Sequence, residues 1–161
     1  MVTKDLIFSW LEEVSDPEIP VLSVVDLGVV RDAQATPTGW TITITPTYSG
    51  CPAMKLMEEE IRWKLEEKGL DNFDVNLVLS PAWTTDWISE NGRLKLREYG
   101  IAPPENEVDK SVLFAEPPTV PCPLCASTNT RMVSQFGSTA CKANYQCNDC
   151  KEPFDYFKCL K

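Results

Sequence analysis

The chain has 161 residues, enough for one substantial core or for a moderate core with a small stapled module. It contains no histidine, which excludes Cys-His and Ser-His nucleophile pairs, histidine metal ligands and the Glu-x-x-His pairs of di-iron bundles. Its formal net charge of -9 is concentrated in residues 1–118, with 10 Lys+Arg against 21 Asp+Glu, while residues 119–161 carry 5 against 3; an acidic body argues against nucleic acid and for protein partners.

"TKDLIFSWLEEV" (3–14) places Leu6, Ile7, Trp10, Leu11 and Val14 at helical spacing behind Thr3 as N-cap, and predicts an amphipathic opening helix. Its acids interrupt what a signal peptide would keep apolar, and no run reaches the roughly 18 apolar residues of a membrane span. A cytoplasmic, membrane-free location is the expectation. "SDPEIP" then ends the helix, because residues before proline are pushed out of helical geometry. Residues 26–35 and 40–47 read as strands joined by the hairpin signal "TPTG". A second helix follows from Pro52 to Lys68, with Ala53, Leu56, Met57, Ile61 and Leu65 as its core face and Gly69 beyond its end. "NFDVNLVLS" (72–80) gives a third strand, and Glu90 to Tyr99 a short helix. Trp83 and Trp87 between them read as core or subunit interface. The proline- and acid-rich stretch 101–119 reads as a linker or arm. The expected fold is α+β, helices on one face of a small mixed or antiparallel sheet over residues 1–100, with a separate module over 120–161.

That module carries Cys122, Cys125, Cys147 and Cys150 as C-x2-C-x21-C-x2-C. Two such pairs, each on a tight turn whose amides point at the sulfurs, form a four-thiolate cage that suits zinc, so the tail reads as a zinc ribbon. A single iron would fit the same cage, and Cys141 and Cys159 would permit another ligand choice or a cluster. Cys141 reads as a buried hairpin thiol or a supporting functional one; Cys159 reads as incidental.

Cys51 stands alone in the body, in "TPTYSGCPAMKLM" (45–57). With Pro52 as first helical residue, Cys51 would be the N-cap and its sulfur would face unpaired amides at the positive end of the dipole, which lowers a thiol pKa. The alternative is a small buried residue filling a corner. Asp16, Glu18 and Asp26 read as turn caps or as the lining of a site with Cys51.

"DPEIPVLSVVDLGVV" (16–30) and "TPTYSGCPAM" (45–54) resemble the two signatures of the SufT-like iron-sulfur assembly domain, over roughly residues 1–100. With "PAWTTDWISENGRLKLREYGIAPP" and the cysteine tail, the whole chain is similar to the PaaD family of phenylacetate degradation. The resemblance implies that Cys51 is the signature cysteine, a ligand for transient iron or an iron-sulfur cluster, in one chain or across a homodimer. It also implies an accessory, non-catalytic role toward the oxygenase and reductase components of phenylacetyl-CoA epoxidase. A structural or regulatory subunit without metal transfer is the alternative from another class. An enzyme acting through the Cys51 thiolate is disfavoured by the lack of a general base.

Overall fold

The computed structural model describes residues 1–104 and 117–158. Most of the stretch read as an arm, and Cys159, lie outside the described residues. Two compact units are present, one of Met1–Trp83 and Trp87–Gly92, the other of Thr84–Asp86 and the chain from Arg93 onward.

The first unit opens with helix α1 (Lys4–Leu11), capped as expected by the Thr3 hydroxyl, which accepts from the Leu6 amide. Ile7 and Leu11 are fully buried, and Val14 is buried just past the helix end; Leu6 turns outward. Strands β1 (Val30–Thr36) and β2 (Gly39–Ile44) pair antiparallel, and β3 (Phe73–Leu77) joins β2 in parallel, so the sheet is mixed in the order β1-β2-β3. A parallel pair requires a crossover, and helix α2 (Ala53–Glu67) supplies it. The core lies between sheet and helices: Ile42 and Ile44 of β2, Ala33 of β1, and Met57, Ile61 and Leu65 of α2 are all buried.

β3 ends at Leu77, short of the residue 80 expected, and three further features differ from the sequence reading for identifiable reasons. The first strand starts at Val30 rather than residue 26, because residues 24–28 coil into a turn. Ser23 Oγ accepts from the Asp26 amide there, and Leu27 N donates back to Ser23 O. The Leu27 carbonyl is then taken by the indole N–H of Trp83 at 2.8 Å, which makes Trp83 a core residue. β2 ends at Ile44, since Thr45 donates its amide to Val29 O and Pro46 has none to give. On α2 the buried face is Ala53, Met54, Met57, Ile61 and Leu65, while Leu56 is exposed. The hairpin itself forms where "TPTG" placed it, with Thr36 opposite Gly39. A Cβ at Gly39 would lie 2.0 Å from the Asn72 carbonyl oxygen, so glycine is what lets the β3 entry approach β2. Helix α3 (Glu90–Tyr99) has the expected bounds, with Ser89 Oγ accepting from the Gly92 amide at its start.

The second unit contains a four-stranded sheet in the order β4-β7-β6-β5, formed by β4 (Ile101–Ala102), β5 (Thr130–Ser134), β6 (Lys142–Cys147) and β7 (Pro153–Phe157). The first two residues of the stretch read as an arm thus contribute a strand, parallel to β7. Its core is built around Tyr145, whose ring lies 5.8 Å from Phe154 and 5.6 Å from Tyr156, with Ala143, Val120 and Ala102 beside them. Burial pushes the Tyr145 phenol up to about 12, and its hydroxyl donates to Pro118 O. No helix of the described residues is long and apolar enough to cross a membrane.

Candidate functional site: a four-thiol cage and a buried cysteine

The cage is made by two turns of the same design. In the first, Cys122 N donates to Ser127 O; in the second, Cys147 N donates to Glu152 O. The residue after the second cysteine of each pair is left-handed, Ala126 at φ 61° and Lys151 at φ 68°. This conformation swings the following amides inward, so that Ser127 N–H reaches Cys125 and Glu152 N–H reaches Cys150, while the amides of Cys150 and Asp149 reach Cys147. The four sulfurs lie within 4.8 Å of one another, Cys122 to Cys150 at 3.8 Å and Cys125 to Cys147 at 3.6 Å. Thiolates ~2.3 Å from a central zinc form a tetrahedron with edges of ~3.8 Å, so the spacing fits the ion.

The electrostatics call for a cation as well. The Cys150 amide holds the Cys147 thiol down at about 7 against the opposing effect of burial, helped by the Asp149 amide. On Cys150 the Glu152 amide favours the thiolate, but burial and the neighbouring thiols of Cys147, Cys125 and Cys122 push it up to about 12. Four thiols at this distance do not ionise together unless positive charge sits among them. Cys141 is not part of the cage: it is buried before β6, its sulfur 3.1 Å from Thr139 Oγ1.

Cys51 is 8% exposed and lies just ahead of α2. The helix starts one residue later than expected: α2 begins at Ala53 and its N-cap is Pro52, at φ -67° and ψ -25°, so Cys51 stands just ahead of the cap, with Met54 N donating to Cys51 O. The Ala53 amide, the first of the helix, nevertheless reaches the sulfur. The pKa expectation is reversed, however. Burial pushes the Cys51 thiol up; the Ala53 amide opposes this, the Glu18 carboxylate adds to it, and the side chains of Tyr48 and Thr47 oppose it more weakly. The helix start is real, but desolvation outweighs it.

Of the three acids read as candidates, Glu18 is the one whose charge is felt at Cys51. Asp16 is buried as a cap, its Oδ1 accepting from the amides of Glu18 and Ile19, both at 2.7 Å, and so holds the turn that presents Glu18. Asp26 accepts from Ser89 Oγ at 2.8 Å and supports the start of α3. Thr47 and Tyr48 do not stand out in the sequence. The signal for them is the "SG" after Tyr48: Gly50 sits at φ +81°, and Cys51 N donates to Tyr48 O, which folds the loop back onto the sulfur. At the start of that loop Thr45 Oγ1 is buried with no hydrogen-bond partner, a cost of about 1–3 kcal/mol.

Because Glu18 opposes ionisation of Cys51, Glu18→Gln should speed alkylation of Cys51 by iodoacetamide at neutral pH. In the unaltered chain the rate should keep rising through pH 9. Mass-spectrometric rates across pH check both; an unchanged Gln variant would remove Glu18 from the site.

Comparison with known proteins agrees with this division. Residues 4–77 match the family described as iron-sulfur cluster assembly protein, and residues 106–158 match the PaaD zinc beta ribbon domain. A protein of Escherichia coli (strain K12), named as a putative 1,2-phenylacetyl-CoA epoxidase subunit, is 51% identical over 154 residues, covering 96% of this chain and 92% of that one. An "Fe-S protein maturation auxiliary factor" of Porphyromonas gingivalis is 38% identical over 96 residues, 58% of this chain but 90% of its own length. Among solved structures, the "Domain of Unknown Function DUF59 from Bacillus anthracis" superposes with a TM-score of 0.54 at 28% identity, covering 58% of this chain and 90% of that one. Matched along nearly its whole length, with the assembly domain and the cysteine ribbon in the same order, the chain belongs to the PaaD family.

Proposed function

We propose that the chain is an accessory maturation factor for a multicomponent phenylacetyl-CoA epoxidase in aerobic phenylacetate degradation. In this reading it delivers or restores iron or an iron-sulfur cluster to the oxygenase or reductase component. Functionally the chain divides into a delivering body (1–100), an arm within 101–119 that follows β4, and a docking ribbon (120–161). Cys122, Cys125, Cys147 and Cys150 hold structural zinc, whose contribution is to fix the ribbon. The cargo is held by Cys51, within one chain or across a homodimer. The chain works in the cytoplasm, without membrane or nucleic acid.

The observation that carries this reading is the setting of Cys51: a buried sulfur with an amide and two hydroxyl-bearing side chains directed at it and a carboxylate nearby. A thiol kept protonated by burial is protected from casual oxidation, because the thiolate is the reactive form. Arrival of a soft cation replaces the proton, and the Ala53 amide together with Thr47 and Tyr48 then stabilises the bound thiolate. Enzymatic use of the same thiol fits less well, since there is no imidazole to deprotonate it and Glu18 acts against ionisation. The names of the relatives, a subunit of the epoxidase and maturation auxiliary factors, support the accessory role.

Loaded anaerobically with ferrous iron and sulfide, the intact chain should show visible thiolate-to-iron absorption that Cys51→Ser lacks, with zinc content equal in both. Identical spectra would remove Cys51 as the ligand.

A further inference from the structure

We propose that the outer face of α2 is a docking strip for a protein partner that presents an apolar ridge bordered by lysine and arginine. The proposal goes beyond metal handling and does not depend on it. Trp63 is 67% exposed and Leu56 44% exposed, on the side of α2 away from Met57, Ile61 and Leu65. They are seven residues apart, so they lie on one stripe two turns long. Helical spacing puts Glu59 and Glu66 along one flank of that stripe and Glu60 and Glu67 along the other. An exposed tryptophan and leucine on one stripe with a charged border have the composition of a binding anchor.

The border chooses the occupant. Glu67 is already paired with Lys64 at 2.7 Å, but a second copy of the chain would still set Glu59, Glu60 and Glu66 against their own counterparts, within a molecule at -9. Anionic lipid and nucleic acid are repelled for the same reason. A cationic-rimmed helix or ridge pairs with both flanks while its apolar side covers Trp63 and Leu56. Such a partner would also approach the proposed cargo site, since Leu56 lies in the first turn of the helix that Cys51 precedes.

The test uses two synthetic helix-forming peptides with the same leucine stripe, one bordered by lysine and arginine and the other by glutamate. Binding is measured by calorimetry on the full zinc-loaded chain. The cationic peptide should bind and the acidic one should not. Trp63→Ala and, separately, Leu56→Ala should weaken binding, the former by roughly tenfold or more. Glu59→Lys with Glu66→Lys should reverse the preference. Cys51→Ser should bind as the unaltered chain does, which keeps this result apart from the fate of the cargo reading. Binding indifferent to Trp63 and to the charge reversal would overturn the proposal. So would a dimer in sedimentation that Trp63→Ala dissolves, or capture by phosphatidylserine vesicles that Trp63→Ala abolishes.

Discussion

Cys147→Ser, or strong chelation of the intact protein, should unfold the ribbon and leave the body folded. The ribbon spans about 40 residues, the size below which a core alone rarely suffices. Its buried cluster includes two of the ligands, Cys122 and Cys147, so losing the metal also loosens the packing around Tyr145. Structural zinc contributes on the order of 10 kcal/mol of binding free energy in such modules, and that binding is coupled to folding. The body has its own core, with Ile42, Ile44, Met57, Ile61 and Leu65 fully buried. Hydrogen exchange should therefore show protection lost in β5, β6 and β7 and kept in β1, β2 and β3. A metal-free chain that kept full protection in β6 would show that the cage does not hold the ribbon together.

Cys51→Ser should do the opposite: a stable, normally folded protein that has lost its purpose. Serine is close in size to cysteine, and its oxygen is placed to take the Ala53 amide that the sulfur takes now. Burying the hydroxyl costs about 1–2 kcal/mol, offset by that hydrogen bond. A hydroxyl at this position is a poor ligand for soft metal, since it does not ionise near neutral pH as a metal-bound thiol does. In cells making the epoxidase together with the variant, iron in the purified oxygenase and reductase should fall at least several-fold. Thermal unfolding of the variant itself should barely move. Full iron loading beside Cys51→Ser would favour a subunit that stays in the complex without moving metal.

What the sequence disclosed were features written in local chemistry. The Thr3 cap, the bounds of α3, the "TPTG" hairpin and the two C-x2-C turns each depend on residues close together in the chain. Apart from the end of β2 at Pro46, the misread features depend on distant partners. The turn at 24–28 is closed locally by Ser23, but what fixes it to the core is the Trp83 indole N–H donating to Leu27 O from 56 residues away. Leu56 reads as core because it is apolar next to Met57; the helix rotates it away, and its pairing with Trp63 shows only when the buried face is known. For Cys51 the local signal, a helix start, is one residue off in position and wrong about acidity, because acidity depends on burial, and burial is a property of the whole fold.

Carriage of metal to a client by Cys51 is tested most directly by transfer. The anaerobically prepared chain is loaded with radiolabelled iron and sulfide, mixed with metal-free epoxidase oxygenase or reductase, and separated by size. Label should move to one of the two components from the unaltered chain and not from Cys51→Ser mixed with the same free iron. Equal labelling of the client from both proteins, or label that never leaves the intact chain, would contradict the reading.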